Sequence, residues 1–284
     1  MKKEEVLNKI EFAQALRAVR ETGPLVQCIT NFVTVNDCAN MILASGGSPT
    51  MAHDVREVEE SVEGVQALVL NLGAVEDTEA MILAGRRANQ LGIPVVLDPV
   101  AAGVTALRRE ASARLLGEVR LSVIRGNASE IKALVRGSAG GSGVDVAAGD
   151  AVSEETLPQI AALARSLARQ TGGVAAVSGP IDVLSDGERT LLLRNGCPAM
   201  ARITGSGCML TSLMGAFCGA MPERPFAAAC AAAAAMGVCG ELAEKRRLKN
   251  GTGNATFRND LIDAVFNLTE TQLTEGVRYE IYKS

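Results

Sequence analysis

Apolar and polar positions along this chain fall into two recurring rhythms. One is a short, nearly continuous apolar run; the other is a longer stretch with apolar residues every three or four positions. Residues 25–31, 66–71, 93–98, 121–125 and 173–178 have the first rhythm and are predicted strands. Helices are predicted over 4–22, 35–44, 54–64, 78–90, 105–118, 128–135 and 154–170. Strand starts at 66, 93 and 121 have the spacing of repeated βαβ units, and strands this apolar are buried on both faces of a parallel sheet. Two short apolar runs near 181–184 and 190–194, separated by Asp186-Gly187, predict a hairpin at the sheet margin. An apolar run from Met209 to Phe217 and long stretches over 226–247 and 257–268 are further helices, before a short amphipathic tail.

The first four predicted strands end in polar residues: Asn31, Asn71, Asp98 and Arg125. In an open parallel sheet all carboxyl ends lie along one edge, where ligands bind. Strand termination explains one or two such residues and strains at four. A second feature is Thr204-Gly205-Ser206-Gly207-Cys208, a glycine-rich turn feeding the helix that begins at Met209. Such a turn aims unpaired N–H groups and the positive end of the helix dipole at one spot. Gly205, Ser206, Gly207 and Cys208 thus form a candidate anion hole for a phosphate, the alternative being an ordinary helix cap. Two carboxylates lie near strand ends: Asp98 in Leu97-Asp98-Pro99-Val100, and Glu130 in Asn127-Ala128-Ser129-Glu130. Asn127 and Glu130 share a helix face, as a capping box or as part of a Mg²⁺ site completed by water and phosphates.

Length and composition narrow the choices. A chain of 284 residues, 48% hydrophobic with 29 glycines, has material for one large α/β domain, and no linker divides residues 1–284. Net charge is −4, Trp is absent and no basic stripe appears, so nucleic acid is not an expected partner. The charged Met1-Lys2-Lys3-Glu4-Glu5 start has no apolar core of a signal peptide. The alanine-rich stretch 226–240 is shorter than a membrane span and reads as a core helix, so no membrane is expected either. Lys245, Arg246, Arg247 and Lys249 read as a solvated helix end before an Asn250-Gly251 stop. Residues 137–150, rich in Gly, Ser and Ala, read as an exposed flexible loop. Seven cysteines without CxxC spacing argue against disulfides and structural zinc and for a reducing, cytoplasmic compartment. The single histidine, His53, excludes His-rich metal sites, makes a Ser-His-Asp triad hard to build, and is expected to cap or pack locally. Neither GxxxxGK[ST] nor an intact GxGxxG is present, which excludes a P-loop and disfavours a dinucleotide fold.

Taken in order, six segments carry a resemblance: 28–31 (Cys-Ile-Thr-Asn), 35–40, 48–53, 97–100, 124–130 and 204–209. From Leu25 to about Leu268 the chain resembles the hydroxyethylthiazole kinases of the ribokinase-like superfamily. The resemblance implies a three-layer α/β/α sandwich with a mostly parallel central sheet, in one domain without a separate lid. It implies Mg²⁺-dependent transfer of the γ-phosphate of ATP to the primary hydroxyl of 4-methyl-5-(2-hydroxyethyl)thiazole, in thiamin salvage. It also implies a homotrimer with active sites between subunits. Carried over by motif, Met51 lines the thiazole pocket and Gly205 contacts substrate. Arg125 and Ser178 contact ATP, Glu130 and Asp98 serve Mg²⁺ and phosphates, and Asn31 and Asn71 supply polar groups to the pocket. Two positions depart from the family pattern: Gln27 where His is expected, and Ser206 where Thr is usual.

Relatives acting on other alcohols carry Asp as base where this family, and this chain, carry Cys208. A thiol of pKa about 8.5 is only a few per cent thiolate at neutral pH. The helix N-terminus lowers that value and nearby phosphates raise it. Cys208 is therefore expected to be a modest base that mainly positions the hydroxyl, the alternative being an inert buried cysteine. Two other functions stay open: a nucleotide-dependent hydrate dehydratase (a lyase), which shares the anion turn, and a non-catalytic nucleotide or thiamin-precursor sensor.

Overall fold

The computed structural model describes residues 8–138 and 152–283; the loop expected over 137–150 lies almost wholly outside them. The strands are β1 (Leu25–Ile29), β2 (Ser48–Thr50), β3 (Ala67–Asn71), β4 (Val95–Asp98), β5 (Val123–Asn127), β6 (Val174–Ser178), β7 (Asp182–Ser185), β8 (Thr190–Leu193) and β9 (Tyr279–Ile281). The early helices are α1 (Lys9–Thr22), α2 (Val35–Ser45), α3 (Val58–Ser61), α4 (Thr78–Leu91), α5 (Ala106–Glu118) and α6 (Ala128–Ser138). They are followed by α7 (Leu157–Thr171), α8 (Ser206–Ala220), α9 (Pro225–Asn250), α10 (Asn254–Phe266) and α11 (Glu270–Gly276).

The strands form one sheet in the order β2-β1-β3-β4-β5-β6-β7-β8-β9. The first six run parallel, and β7, β8 and β9 pair antiparallel to their neighbours. Period-two alternation sends successive strand side chains into two separate cores. Val26, Cys28, Val69, Val96, Val123, Val174 and Ala176 pack with α1, α2, α8, α9 and α10. Ile29, Leu68, Leu70, Leu97, Ile124 and Val177 pack with α3 to α7. These are the three layers of an α/β/α sandwich, as expected.

Helix α8 lies against β1, β3 and β4 and runs opposite to the parallel strands. A Cβ at Gly215 would come within 2.4 Å of Val69 Cγ2, and one at Gly219 would lie 3.1 Å from Pro24, ahead of β1. Glycine thus lets the helix settle directly on β1 and β3, with its N-terminus at the strands' carboxyl edge. Helix α9 is longer than the alanine-rich stretch suggested: its 26 residues are long and apolar enough to cross a membrane. Its most apolar window is nevertheless 89% buried inside the fold, against α8, α10 and the sheet. The helix stops at Gly251, in the left-handed conformation.

Several boundaries moved for local reasons. Helix α1 starts at Lys9 because Asn8 caps it, exchanging hydrogen bonds with Glu11 in a capping box. Ser48–Thr50, outside every predicted strand, forms a short edge strand on β1. The hairpin β7–β8 is not the margin, since the tail forms α11 and then β9 outside it.

Candidate active site

By alternation, Asn71, Asp98, Arg125 and Ser178 occupy the same sheet face as Val69, Val96, Val123 and Ala176, the face covered by α8. Strand register places Asn71 beside Asp98. Arg125 sits inside β5 rather than at its end, and reaches the site through the length of its side chain. Asn31 lies two residues beyond β1. All converge on the N-terminus of α8.

At that N-terminus Gly205 caps the helix with φ +77°, and a Cβ there would lie 2.3 Å from Thr34 Cγ2. Both the left-handed backbone and the close approach require glycine. The first intrahelical bond runs from the Met209 N–H to the Gly205 carbonyl, so the amides of Ser206, Gly207 and Cys208 lie at the open end of the helix. The Arg125 guanidinium covers this turn: a Cβ on Gly207 would lie 2.3 Å from its Nη1. Arg125 also donates to Ser178 Oγ, and its Nε is buried without a partner. A guanidinium over an open helix end is a strong anion receptor.

Asp98, 1% exposed, receives every polar contact on one oxygen. Its Oδ2 accepts from Thr211 Oγ1 at 2.8 Å and Asn71 Nδ2 at 3.3 Å, and lies 3.5 Å from Arg125 Nη1. Its Oδ1 is buried without a partner. Burial pushes the carboxyl up to about 6; Arg125 opposes this and the charge of Glu130 adds to it. Glu130 is the capping-box partner that its spacing allowed: Oε2 accepts from the Asn127 N–H at 2.8 Å, and Asn127 Oδ1 accepts from the Glu130 N–H at 2.9 Å. Its Oε1 accepts from the N–H of Ala101, which has φ +56°. A non-glycine residue held in that region marks a loop over-determined by its surroundings.

A chain of amides joins Asp98 to Cys208. Asn71 Oδ1 accepts from the Gly73 N–H at 2.8 Å and from Asn31 Nδ2 at 3.1 Å. Asn31 Nδ2 also lies 3.7 Å from Cys208 Sγ, to which it donates. Thr34 fixes Asn31 in turn, donating to its Oδ1 from both backbone N–H and Oγ1 at 3.1 Å. Burial and the charge of Asp98 raise the Cys208 thiol above its ordinary value, outweighing the hydrogen bonds from Thr34, Asn71 and Asn31. The thiol is therefore neutral at pH 7.

Beside this chain a cavity of about 280 Å³ is lined by Cys28, Thr30, Phe32, Val35, Met51, His53, Ala74, Glu76 and Asp77. The β1–α2 turn forms the common wall: Thr30 and Phe32 face the cavity, whereas Asn31 and Thr34 touch the Cys208 side. Met51 lines this cavity. His53 does too, with Nδ1 3.6 Å from Asp77 Oδ2. Three contributing residues escaped the sequence reading. Thr211 lies one turn after Gly207 on α8 and Thr34 three residues after Asn31, so helix and turn spacing could have found both. Asp182 accepts from the Gly179 N–H at 2.9 Å and is pushed up to about 6 by burial, with no local signal in the sequence.

Among the described residues no cluster of three or more His, Cys, Asp or Glu could hold a metal ion by itself. The partnerless Asp98 Oδ1 is nevertheless a free hard-oxygen donor beside the anion receptor. That suits Mg²⁺, which takes one or two carboxylates together with phosphate and water.

The layered sheet and anion receptor are those of a ribokinase-like kinase. At low identity the likeness extends to the pyridoxal kinase from Staphylococcus aureus in complex with ADP (TM-score 0.55, 14% identical, covering 77% of this chain and 87% of that one), which shows the fold alone. The model of the hydroxyethylthiazole kinase family matches residues 16–271, and the chain belongs to that family. It is 45% identical to the hydroxyethylthiazole kinase of Clostridium acetobutylicum, over 95% of this chain and 99% of that protein. It is 49% identical to that of Desulfovibrio desulfuricans, over 89% and 92% respectively. A solved hydroxyethylthiazole kinase protein from Pyrococcus horikoshii OT3 superposes with TM-score 0.84 at 34% identity, covering 96% of this chain and 99% of that one.

Proposed function

We propose that this kinase transfers the γ-phosphoryl group of ATP to the primary hydroxyl of 4-methyl-5-(2-hydroxyethyl)thiazole, giving the thiazole phosphate for thiamin salvage. The observation that carries the reading is the convergence of the Arg125 guanidinium, the open end of α8 and the Cys208 thiol, with a cavity across the β1–α2 turn. The γ-phosphoryl group sits on the amides of residues 206–208 beneath Arg125, and Ser178 orients the guanidinium. The acceptor ring occupies the Met51 cavity, with its hydroxyl directed at Cys208. The hydroxyl oxygen bonds to phosphorus as the bond to the ADP oxygen breaks, and the hydroxyl proton passes to the phosphate or to solvent. Such a transfer has a loose transition state that needs alignment and charge stabilisation more than a strong base. A neutral Cys208, held by Asn31, meets that need by orienting the hydroxyl. Asn31 and Asn71 act by fixing Cys208 and Asp98. Asp98, through its unpartnered Oδ1, together with Glu130 would hold Mg²⁺, which when bound would neutralise phosphate charge.

The assembly proposed is a homotrimer in the cytoplasm, with sites at subunit boundaries. Phe32, 84% exposed, and Val33 present apolar surface beside the cavity, which supports a boundary there. Light scattering should give three times the 29.5 kDa chain mass. The decisive assay measures ADP release with and without the thiazole alcohol and identifies the phosphorylated product. A lyase forms no phosphorylated alcohol, and a sensor binds without releasing ADP.

A further inference from the structure

In a strand otherwise made of apolar residues, Gln27 is fully buried, at 0% exposure. A primary amide in such a place is costly unless both its ends are bonded. Only one end is. Gln27 Nε2 donates to the carbonyl of Ala52, while Oε1 is buried without a partner. Packing alone does not account for the residue, because a leucine of similar size would leave no oxygen unpaired.

The bond that is made points to its use. Strand β2 ends at Thr50, opposite Gln27 in the register. Residues 51–54 then leave the sheet without regular secondary structure. Ala52 is the middle of that segment, and the residues on either side of it, Met51 and His53, both line the cavity. The neighbour of Gln27 on β1, Cys28, lines it as well. One side chain inside the sheet therefore ties down the segment that supplies two walls of the cavity.

We infer that Gln27 is a positioning residue for the acceptor. Its amide, by gripping the Ala52 carbonyl, sets the spacing between Met51 and the β1 wall and so the size of ring the cavity accepts. This rests on the cavity being the acceptor pocket, and adds a specificity determinant outside it. The half-satisfied amide is retained at some expense of stability, as residues held for function often are.

The test compares wild type with Gln27→Leu, Gln27→Met and Gln27→His in steady-state kinetics and thermal unfolding. Losing the donor leaves the half-buried Ala52 carbonyl without this partner or lets the segment move, and KM for the thiazole alcohol rises about tenfold. Both kcat and KM for ATP stay within about twofold, because nothing on the Arg125 side has changed. The Leu and Met variants melt close to wild type, since loss of the orphaned Oε1 offsets the loss of the bond to the Ala52 carbonyl. Gln27→His, whose ring N–H can donate to the same carbonyl, restores KM to within about threefold of wild type. An unchanged KM in Gln27→Leu, a parallel loss in kcat and both KM values, or no rescue by histidine would each overturn the assignment. So would failure of both Leu and Met variants to fold, which would make Gln27 a structural residue. Wild-type protein that phosphorylates no thiazole alcohol would instead sink the proposed function, a separate result.

Discussion

The two sides of Cys208 are built on opposite terms. On the proposed donor side, Asp98, Arg125, Ser178 and Thr211 are linked by polar contacts, yet Asp98 Oδ1 and Arg125 Nε remain unpaired. On the proposed acceptor side most of the cavity wall is apolar, from Cys28, Phe32, Val35, Met51 and Ala74, with Thr30, His53, Glu76 and Asp77 completing it. A polyanion needs fixed charges in a dry place, and a small heteroaromatic ring needs a shape. The difference implies a clean kinetic division: damage on the donor side lowers kcat, and damage on the acceptor side raises KM.

The largest effect is expected at Asp98. Asp98→Asn removes the charge and the proposed metal donor together, and kcat should fall by about 10²–10³ at saturating Mg-ATP. The acid limb of the pH profile sharpens the point. With its pKa raised to about 6, Asp98 loses its charge as pH falls through 6, so wild-type kcat/KM should decline tenfold per unit below that value. The linked stability has the opposite sense. A carboxyl whose folded pKa lies above its unfolded value contributes stability that is complete below about 4 and lost as pH rises through about 6. Asp98 and Asp182 both behave this way, so the apo protein should melt higher at pH 5 than at pH 7 while being less active. Parallel loss of activity and stability on acidification would remove Asp98 from the chemistry.

Next comes Arg125. Arg125→Ala exposes the α8 turn and strips Asp98 of its counter-charge, and kcat should fall by about 10² with a rise in KM for ATP. KM for the alcohol should hold within about twofold. A larger shift in the alcohol KM than in the ATP KM would break the division between the two sides.

The fold was largely legible in the sequence, and the site partly so. Apolar runs marked β1, β3, β4, β5 and β6 because strands buried on both faces have a strong local signature. β2 and β9 have three residues each and owe their form to edge pairing with β1 and β8, which no local pattern carries. The glycine turn and polar strand ends were visible because they sit at fixed positions in a repeated topology. Arg125 was misplaced by two residues along its strand without consequence, since a long side chain forgives such an error. Gln27 is the opposite case. It stood out only as a departure from the family pattern, and its contact with Ala52, 25 residues away, has no local signature.

Cys208, on the boundary, tests whether the division is sharp. A catalytic base is worth about 10²–10⁴ in rate, whereas a group that only orients the hydroxyl is worth much less. Because burial and Asp98 raise the thiol above its ordinary value, Cys208→Ala should lower kcat only about tenfold, more than it raises KM for the alcohol. Cys208→Ser, which keeps a hydrogen-bonding group, should recover most of that loss. Unchanged turnover in Cys208→Ala would remove the thiol from the mechanism.

The smallest effect belongs to the acceptor wall. Met51 is half-buried beside the cavity, so truncating it withdraws only part of the contact a fully buried methionine would make. Full burial of such a side chain is worth about 1.5–3 kcal/mol, and about half of that corresponds to a three- to tenfold change in affinity. Met51→Ala should therefore raise KM for the thiazole alcohol by about that factor, with kcat and KM for ATP within about twofold. A methionine that contacted ring and transition state unequally would change kcat as well. In that event the acceptor side would share in rate acceleration, and the contrast between a charged half that drives the reaction and an apolar half that selects the substrate would have to be given up.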